Sequence, residues 1–355
     1  MPAWTWLVPL LALGMLGIAL SGVAVPGLVL LCGCALAGAV FAAVHHAEVV
    51  AHRVGEPFGT LVLALAVTAI ESSLILSMMV AGGEGMAVLA RDALYAAVMI
   101  ICTGVLGLCL LAGGLAHREQ TFRVEGAGAG LAALIVMASL TLVVPAFTTA
   151  TEGGTYSPSQ LVFVAVSSAL LWAIFVFVQT MRHRDYFIPA ENSSDPEAHA
   201  EPPTLARTWG SLALLLLSLG GVVGLAKMLS PAIERAVAAA DAPRAVVGII
   251  IAALVLLPET FAAVRAARAN RLQTSMNLAI GSALATIGLT VPLVVMASMV
   301  FDLPLVLGLA PKEMALLAVT LLVSAVTLGT GRTYLMQGAV HVVLFAAYLF
   351  LALVP

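Results

Sequence analysis

The chain has 355 residues, of which 62 % are hydrophobic and only 9 % charged. Soluble domains carry about 25 % charged residues, so a water-soluble fold is excluded and the bilayer must serve as solvent. A net charge of −3 argues against nucleic acid as a partner.

The first apolar run begins at Trp4 with no basic segment before it and no A-x-A site, and reads as a retained span rather than a signal peptide. The charge-free stretch 5–44 is too long for one crossing, and Gly22 and Pro26 divide it into helices near 5–21 and 26–44. Further apolar runs fall near 57–81, 93–115, 127–149, 159–180, 208–229, 244–265, 273–300, 313–331 and 334–354. The expected fold is therefore an all-α polytopic membrane protein of about eleven transmembrane helices, numbered 1 to 11 in chain order. The longest polar segment, 182–207, holds Glu191, Asp195, Glu197 and Glu201 with four prolines and reads as a flexible acidic linker. The expected parts are two N-terminal helices (1–44), a first repeat half (45–181), the linker (182–207) and a second repeat half (208–355).

Lysines and arginines set the orientation. Links 2/3, 4/5, 6/7, 8/9 and 10/11 hold Arg53, Arg118, Arg123, Arg182, Arg184, Arg207, Arg265, Arg268, Arg271 and Arg332. The remaining links hold Arg91, Lys227, Arg235, Arg244 and Lys312. Ten against five puts the even links in the cytoplasm, with the N-terminus inside and the C-terminus outside. In a bacterium this predicts the inner membrane, with a periplasmic C-terminus. Helices 3 and 8 then run in opposite directions, the arrangement of inverted-topology repeats.

Each of those two helices carries one acid. Glu71 is the only charge between Pro57 and Gly83, and Glu259 the only charge between Ala245 and Val264. An ionised carboxylate at mid-bilayer costs roughly 2.5–3.5 kcal/mol on insertion scales, a cost that packing alone does not justify. A protonated glutamate bonded between helices is the bland alternative. Pro258 frees a carbonyl oxygen beside Glu259, and free carbonyls at membrane depth line cavities. Thr68, Ser72, Ser73 and Thr260 add hydroxyl oxygens near the carboxylates. An all-oxygen set of this kind suits hard cations such as Ca2+. Two carboxylates balance one divalent cation or two protons. Burial disfavours their free charge, so protons and cations compete for the same oxygens. If the doubly charged site cannot cross empty, transport becomes obligatory exchange.

Other residues have more than one reading. His45, Glu48 and His52 fall at i, i+3 and i+7 on one face of the end of helix 2. They fit a metal site, and with it an intramembrane metalloenzyme, or a proton relay, or a solvated helix end. Glu56 stands at the cytoplasmic start of helix 3, either to attract cations or to complement the helix dipole. Asn277 begins helix 9 and faces either the pathway or a hydrogen-bonding partner at the surface. His341 in helix 11 reads as a packing histidine. The four cysteines lie in apolar runs without zinc spacing and read as core.

The stretches HRVGEPFGTLVLALAVTAIES (52–72), LPETFAAVRAARANRLQTSMNLAIGSALATIGLTVP (257–292) and GTGRTYLMQGAVHVVLFAAYL (329–349) resemble the bacterial ChaA-type antiporters of the calcium/cation antiporter superfamily. The resemblance covers nearly the whole chain. It implies two inverted repeats, each with a central acid matching Glu71 and Glu259, and exchange of Ca2+, with Na+ and K+ as further substrates, against protons. It also implies that the helix after each acidic helix lines the site. Ser282 and Thr286 match in helix 9, and Thr103 is the candidate in helix 4. Related calcium/proton exchangers carry Gly-Asn-Ala before the acid, whereas this chain reads VTAIE and VLLPE, so broader cation selection is expected. No cofactor is expected. The expected partners are membrane lipid, the transported ions and further copies of the chain in a homo-oligomer.

Overall fold

The computed structural model describes residues 3–23, 26–55, 58–81, 86–151, 153–188, 203–240, 243 and 245–354. Among these, eleven long helices follow one another. They are α1 (Ala3–Leu20), α2 (Leu28–Val54), α3 (Phe58–Ala81) and α4 (Met86–His117). Next come α5 (Val124–Phe147), α6 (Pro158–Arg182), α7 (Leu205–Ala239) and α8 (Ala245–Arg268). The last are α9 (Leu272–Phe301), α10 (Pro311–Leu328) and α11 (Leu335–Leu353). Ten are long and apolar enough to cross a membrane, and α3 contributes the apolar stretch Ala64–Val80.

The eleven-helix expectation holds, while several helices outrun their apolar cores. α2 continues past 44 to Val54, so the expected boundary at 44/45 falls inside one helix. α4 begins at Met86 because the charges at its start are internally paired. Arg91 Nε donates to Asp92 Oδ1 at 2.8 Å, and an Arg91 terminal nitrogen reaches the Gly308 carbonyl at 3.1 Å. α7 passes through Pro231 to Ala239. α6 starts where Ser157 and Pro158 dictate, with the Ser157 amide donating to Gln160 Oε1 at 2.9 Å in a capping box.

α4 and α9 are the most enclosed of the long apolar helices, while α1 and α11 leave most of their surface on the outside of the bundle. α9 packs on α3, α5, α6 and α8, and α4 packs on α8 and α11. α2 lies against α1, α3 and α7. Gly288 lets α9 close onto Trp172 of α6, where an added Cβ would stand 2.4 Å from the Trp172 Cβ. Regular i→i−4 bonding is interrupted by π turns at Ile100–Val105 in α4 and Ser139–Val143 in α5.

The links sort themselves into two groups by their hydrogen bonds. Strand β1 (Glu119–Thr121), between α4 and α5, pairs antiparallel with β2 (Arg332–Tyr334), between α10 and α11. The buried Gln120 amide donates to the Ala267 carbonyl at 2.8 Å and to Asn270 Oδ1 at 3.0 Å in the turn between α8 and α9. At the other end, the segment between α9 and α10 bonds to Ala87, Gly154 and Leu142 through the amides of Val306, Gly308 and Leu309. Alternate links therefore lie at alternate ends, and α3 and α8 run in opposite directions.

Candidate functional site

Glu71 and Glu259 meet the same face of α9 at mid-helix. They are only 2 % and 4 % exposed. Ser282 Oγ donates to Glu259 Oε2 at 2.7 Å, and Thr286 Oγ1 donates to Glu71 Oε2 at 2.7 Å. One turn further, Thr290 Oγ1 and Ser72 Oγ share a hydrogen bond of 2.9 Å. Residues 282, 286 and 290 are spaced by four, so they form one stripe with a rise of about 6 Å per step. The stripe holds the two carboxyl groups about one helical turn apart, each by a single oxygen. The second oxygen of each, Oε1, is buried without a hydrogen-bond partner among the described residues. A buried carboxyl oxygen left unpaired is costly, and it is the group a proton or a hard cation would take. Hydroxyls both donate and accept, so Ser282 and Thr286 can hold a carboxylate and still offer lone pairs to a cation.

A small cavity adjoins Glu259. Ile101 and Val105 of α4 form one wall, Leu256 and Ala263 of α8 another, and Leu278, Ala279 and Ser282 of α9 the third. Its polar groups are therefore Glu259 and Ser282. Pro258 is buried next to Glu259 inside α8, where its ring denies an amide to the Leu254 carbonyl. Thr68 is buried on α3 one turn before Ser72.

Some expected residues stand elsewhere. The Thr260 hydroxyl donates to the Leu256 carbonyl at 2.7 Å, so it is spent inside α8. Thr103 donates to the Met99 carbonyl within α4. Asn277 is a tether: its amide donates to the Phe187 carbonyl, and its oxygen accepts from Gln273 Nε2 at 2.9 Å. This fixes the segment after α6 to the start of α9, and the pathway reading of Asn277 gives way to the surface one. His45 packs its ring against Trp4 and His46, while Glu48 and His52 are exposed. Among the described residues no three histidines, cysteines or acids are grouped to hold a metal, so the metal-site reading of His45, Glu48 and His52 is overturned. Spacing on one helical face was its whole basis, and the His45 ring packs against Trp4 of α1 instead. Glu56 lies outside the described residues. Thr290 was not singled out from the sequence, although its four-residue spacing from Thr286 was the available signal. All four cysteines are free; Cys34 is exposed and the other three are buried.

The model of the sodium/calcium exchanger protein family matches residues 24–181 and 210–354, and the gap between them falls on the acidic linker. The putative ionic transporter y4hA of Sinorhizobium fredii is 47 % identical over 357 residues, covering 100 % of this chain and 97 % of the relative. The sodium-potassium/proton antiporter ChaA of Escherichia coli is 36 % identical over 312 residues, covering 87 % and 84 %. The crystal structure of the selenium-substituted Ca2+/H+ antiporter YfkE superposes with a TM-score of 0.73 at 16 % identity, covering 99 % of both chains. That likeness establishes the shared fold of two inverted repeats. The chain belongs to the sodium/calcium exchanger protein family, whose members are antiporters rather than enzymes.

Proposed function

We propose that the chain exchanges Ca2+ for protons, using Glu71 and Glu259 as the shared binding groups and Ser282 and Thr286 as supporting ligands. One observation carries this reading. Two buried carboxyl groups on oppositely running helices are held by one stripe of α9, each with one oxygen unpaired. With both carboxylates ionised the site carries two negative charges, which one Ca2+ or two protons neutralise. The uncompensated site is too costly to expose to the membrane interior, so one cargo leaves only as the other enters. Ser72, Thr68 and the backbone loosened at Pro258 extend the oxygen lining. The protein works in a bacterial inner membrane with its arginine-rich links and N-terminus in the cytoplasm.

A second reading, exchange of Na+ or K+ for protons on the same site, has its own support. The α4 wall beside Glu259 is Ile101 and Val105, so α4 adds no oxygen to the cavity there. Ca2+ takes six to eight oxygens, and an oxygen set with an apolar wall suits a less demanding ion. The Escherichia coli relative carries a sodium-potassium name.

Everted vesicles with an imposed, fluorescently reported pH gradient test both. Added Ca2+ should dissipate the gradient, and the Glu71→Gln and Glu259→Gln proteins should not respond. A response to Na+ or K+ alone selects the second reading. Full exchange by Glu71→Gln would refute the assignment of the site.

A further inference from the structure

His341 is completely buried in α11 and has no part in the exchange chemistry described above. Its partners are specific. Nδ1 lies 2.7 Å from the Cys102 carbonyl, and Nε2 lies 3.0 Å from Thr327 Oγ1. A carbonyl only accepts, so Nδ1 carries hydrogen and donates.

Cys102 sits in the π turn of α4, Ile100–Val105. In an α-helix its carbonyl would receive the amide of Leu106, four residues on. Here that amide bonds to the Ile101 and Thr103 carbonyls instead, passing over Cys102. The displaced carbonyl is the one His341 takes. The Thr103 hydroxyl bonds to the Met99 carbonyl in the same stretch. Side chains thus stabilise the extra residue that a π turn inserts. His341 reaches this position because α4 and α11 approach closely at glycines. An added Cβ on Gly107 would stand 2.9 Å from the His341 Cβ, and one on Gly104 would stand 3.3 Å from the Phe345 ring.

The π turn matters to the site because Ile101 and Val105, one on each side of Cys102, line the cavity beside Glu259. An inserted residue rotates the following side chains by about 100° relative to a continuous α-helix. Without the π turn, Ile101 and Val105 would not present the same wall to Glu259. We propose that His341 is a positioning residue of the exchange site: it holds the Cys102 carbonyl and so fixes the Ile101–Val105 wall against Glu259. The inference rests on the antiport reading and adds to it a determinant outside the ligand set.

Two variants in everted vesicles test it, with transport normalised to the amount of folded protein. His341→Leu removes the donor. It should raise the half-saturating cation concentration roughly tenfold, the effect of leaving one buried polar group unpaired. His341→Asn places an amide nitrogen where Nδ1 stands and does not titrate. It should restore half-saturation to within about twofold and leave the pH profile of exchange unchanged. A His341→Leu protein that loses only amount or thermal stability, with half-saturation unmoved, would reduce His341 to packing and overturn the proposal. A His341→Asn protein with a displaced pH profile would make His341 a proton carrier and overturn it equally. Normal wild-type exchange alongside either result strikes this inference alone, whereas no exchange by the wild type would remove the antiport reading and this inference together.

Discussion

A hydroxyl that donates to a carboxylate has not exhausted its chemistry, because its own lone pairs still face outward. That is why Ser282 and Thr286 differ in kind from Thr260, whose hydroxyl is committed to the Leu256 carbonyl. Thr286→Val keeps the shape and removes the hydrogen bond to Glu71. Hydrogen bonds to charged groups are worth about 1.5–3 kcal/mol, so the half-saturating cation concentration should rise about tenfold or more. Thr260→Val should stay within about twofold, because it breaks only a bond internal to α8. Cation titrations of exchange in everted vesicles separate the two, and equal losses would remove the distinction. The acids themselves were legible from sequence, since a lone charge within twenty apolar residues has few innocent explanations. The direction of a hydroxyl was not legible: Thr260 and Ser72 both follow a glutamate directly, and only the packing of α9 decides that one faces a neighbouring helix and the other its own backbone.

Apolar periodicity marks where a helix crosses lipid, and eleven such runs were readable. It does not mark where the helix stops. α2 and α7 extend well beyond their apolar cores, and α4 begins before its own, because paired charges such as Arg91 with Asp92 continue a helix that hydropathy would end. Nor does hydropathy register the π turn of α4, which changes bonding without changing composition. What the sequence does carry there is glycine. At Gly338 of α11 an added Cβ would stand 2.4 Å from the Leu111 amide nitrogen and 2.7 Å from its Cα, which is backbone and cannot rotate away. Gly338→Ala should therefore force α4 and α11 apart, at a cost of about 1–3 kcal/mol. Gly281 offers the contrast, since an added Cβ there meets nothing within 4 Å. Gly281→Ala should be neutral or stabilising by up to about 1 kcal/mol through helix propensity. Thermal unfolding in detergent should show a lower midpoint for Gly338→Ala and none for Gly281→Ala. A neutral Gly338→Ala would mean that the α4–α11 seam is looser than its geometry.

At the scale of the bundle, two sets of bonds tie links to links, and among the described residues no bond of either set joins its two ends. One set joins the links after α2, α4, α6, α8 and α10: Arg53 to the Pro203 carbonyl, His117 to the Arg268 carbonyl, Asn277 to the Phe187 carbonyl, and β1 to β2. The other joins the start of α4, the link after α5 and the segment before α10 through Ala87, Gly154 and Val306–Leu309, with Lys312 reaching the Leu351 carbonyl near the end of α11. The fold thereby fixes which links share a side. It leaves open which side is the cytoplasm, a question that only charge answers. Ten of fifteen basic residues lie on the first set of links, and the positive-inside rule assigns that set to the cytoplasm. Single cysteines test the assignment cleanly, because three native cysteines are buried and Cys34 lies within a membrane-spanning helix, out of reach of a charged reagent. Asp185 and Thr149 are both exposed and lie at opposite ends of α6. Thr149→Cys should react with a membrane-impermeant maleimide in intact spheroplasts, and Asp185→Cys only in everted vesicles. The reverse pattern would invert the molecule and turn the arginine-rich links outward. It would also exchange the sides from which Glu71 and Glu259 are approached, while leaving their shared stripe on α9 untouched, so the chemistry of the site and its orientation in the membrane are separable claims.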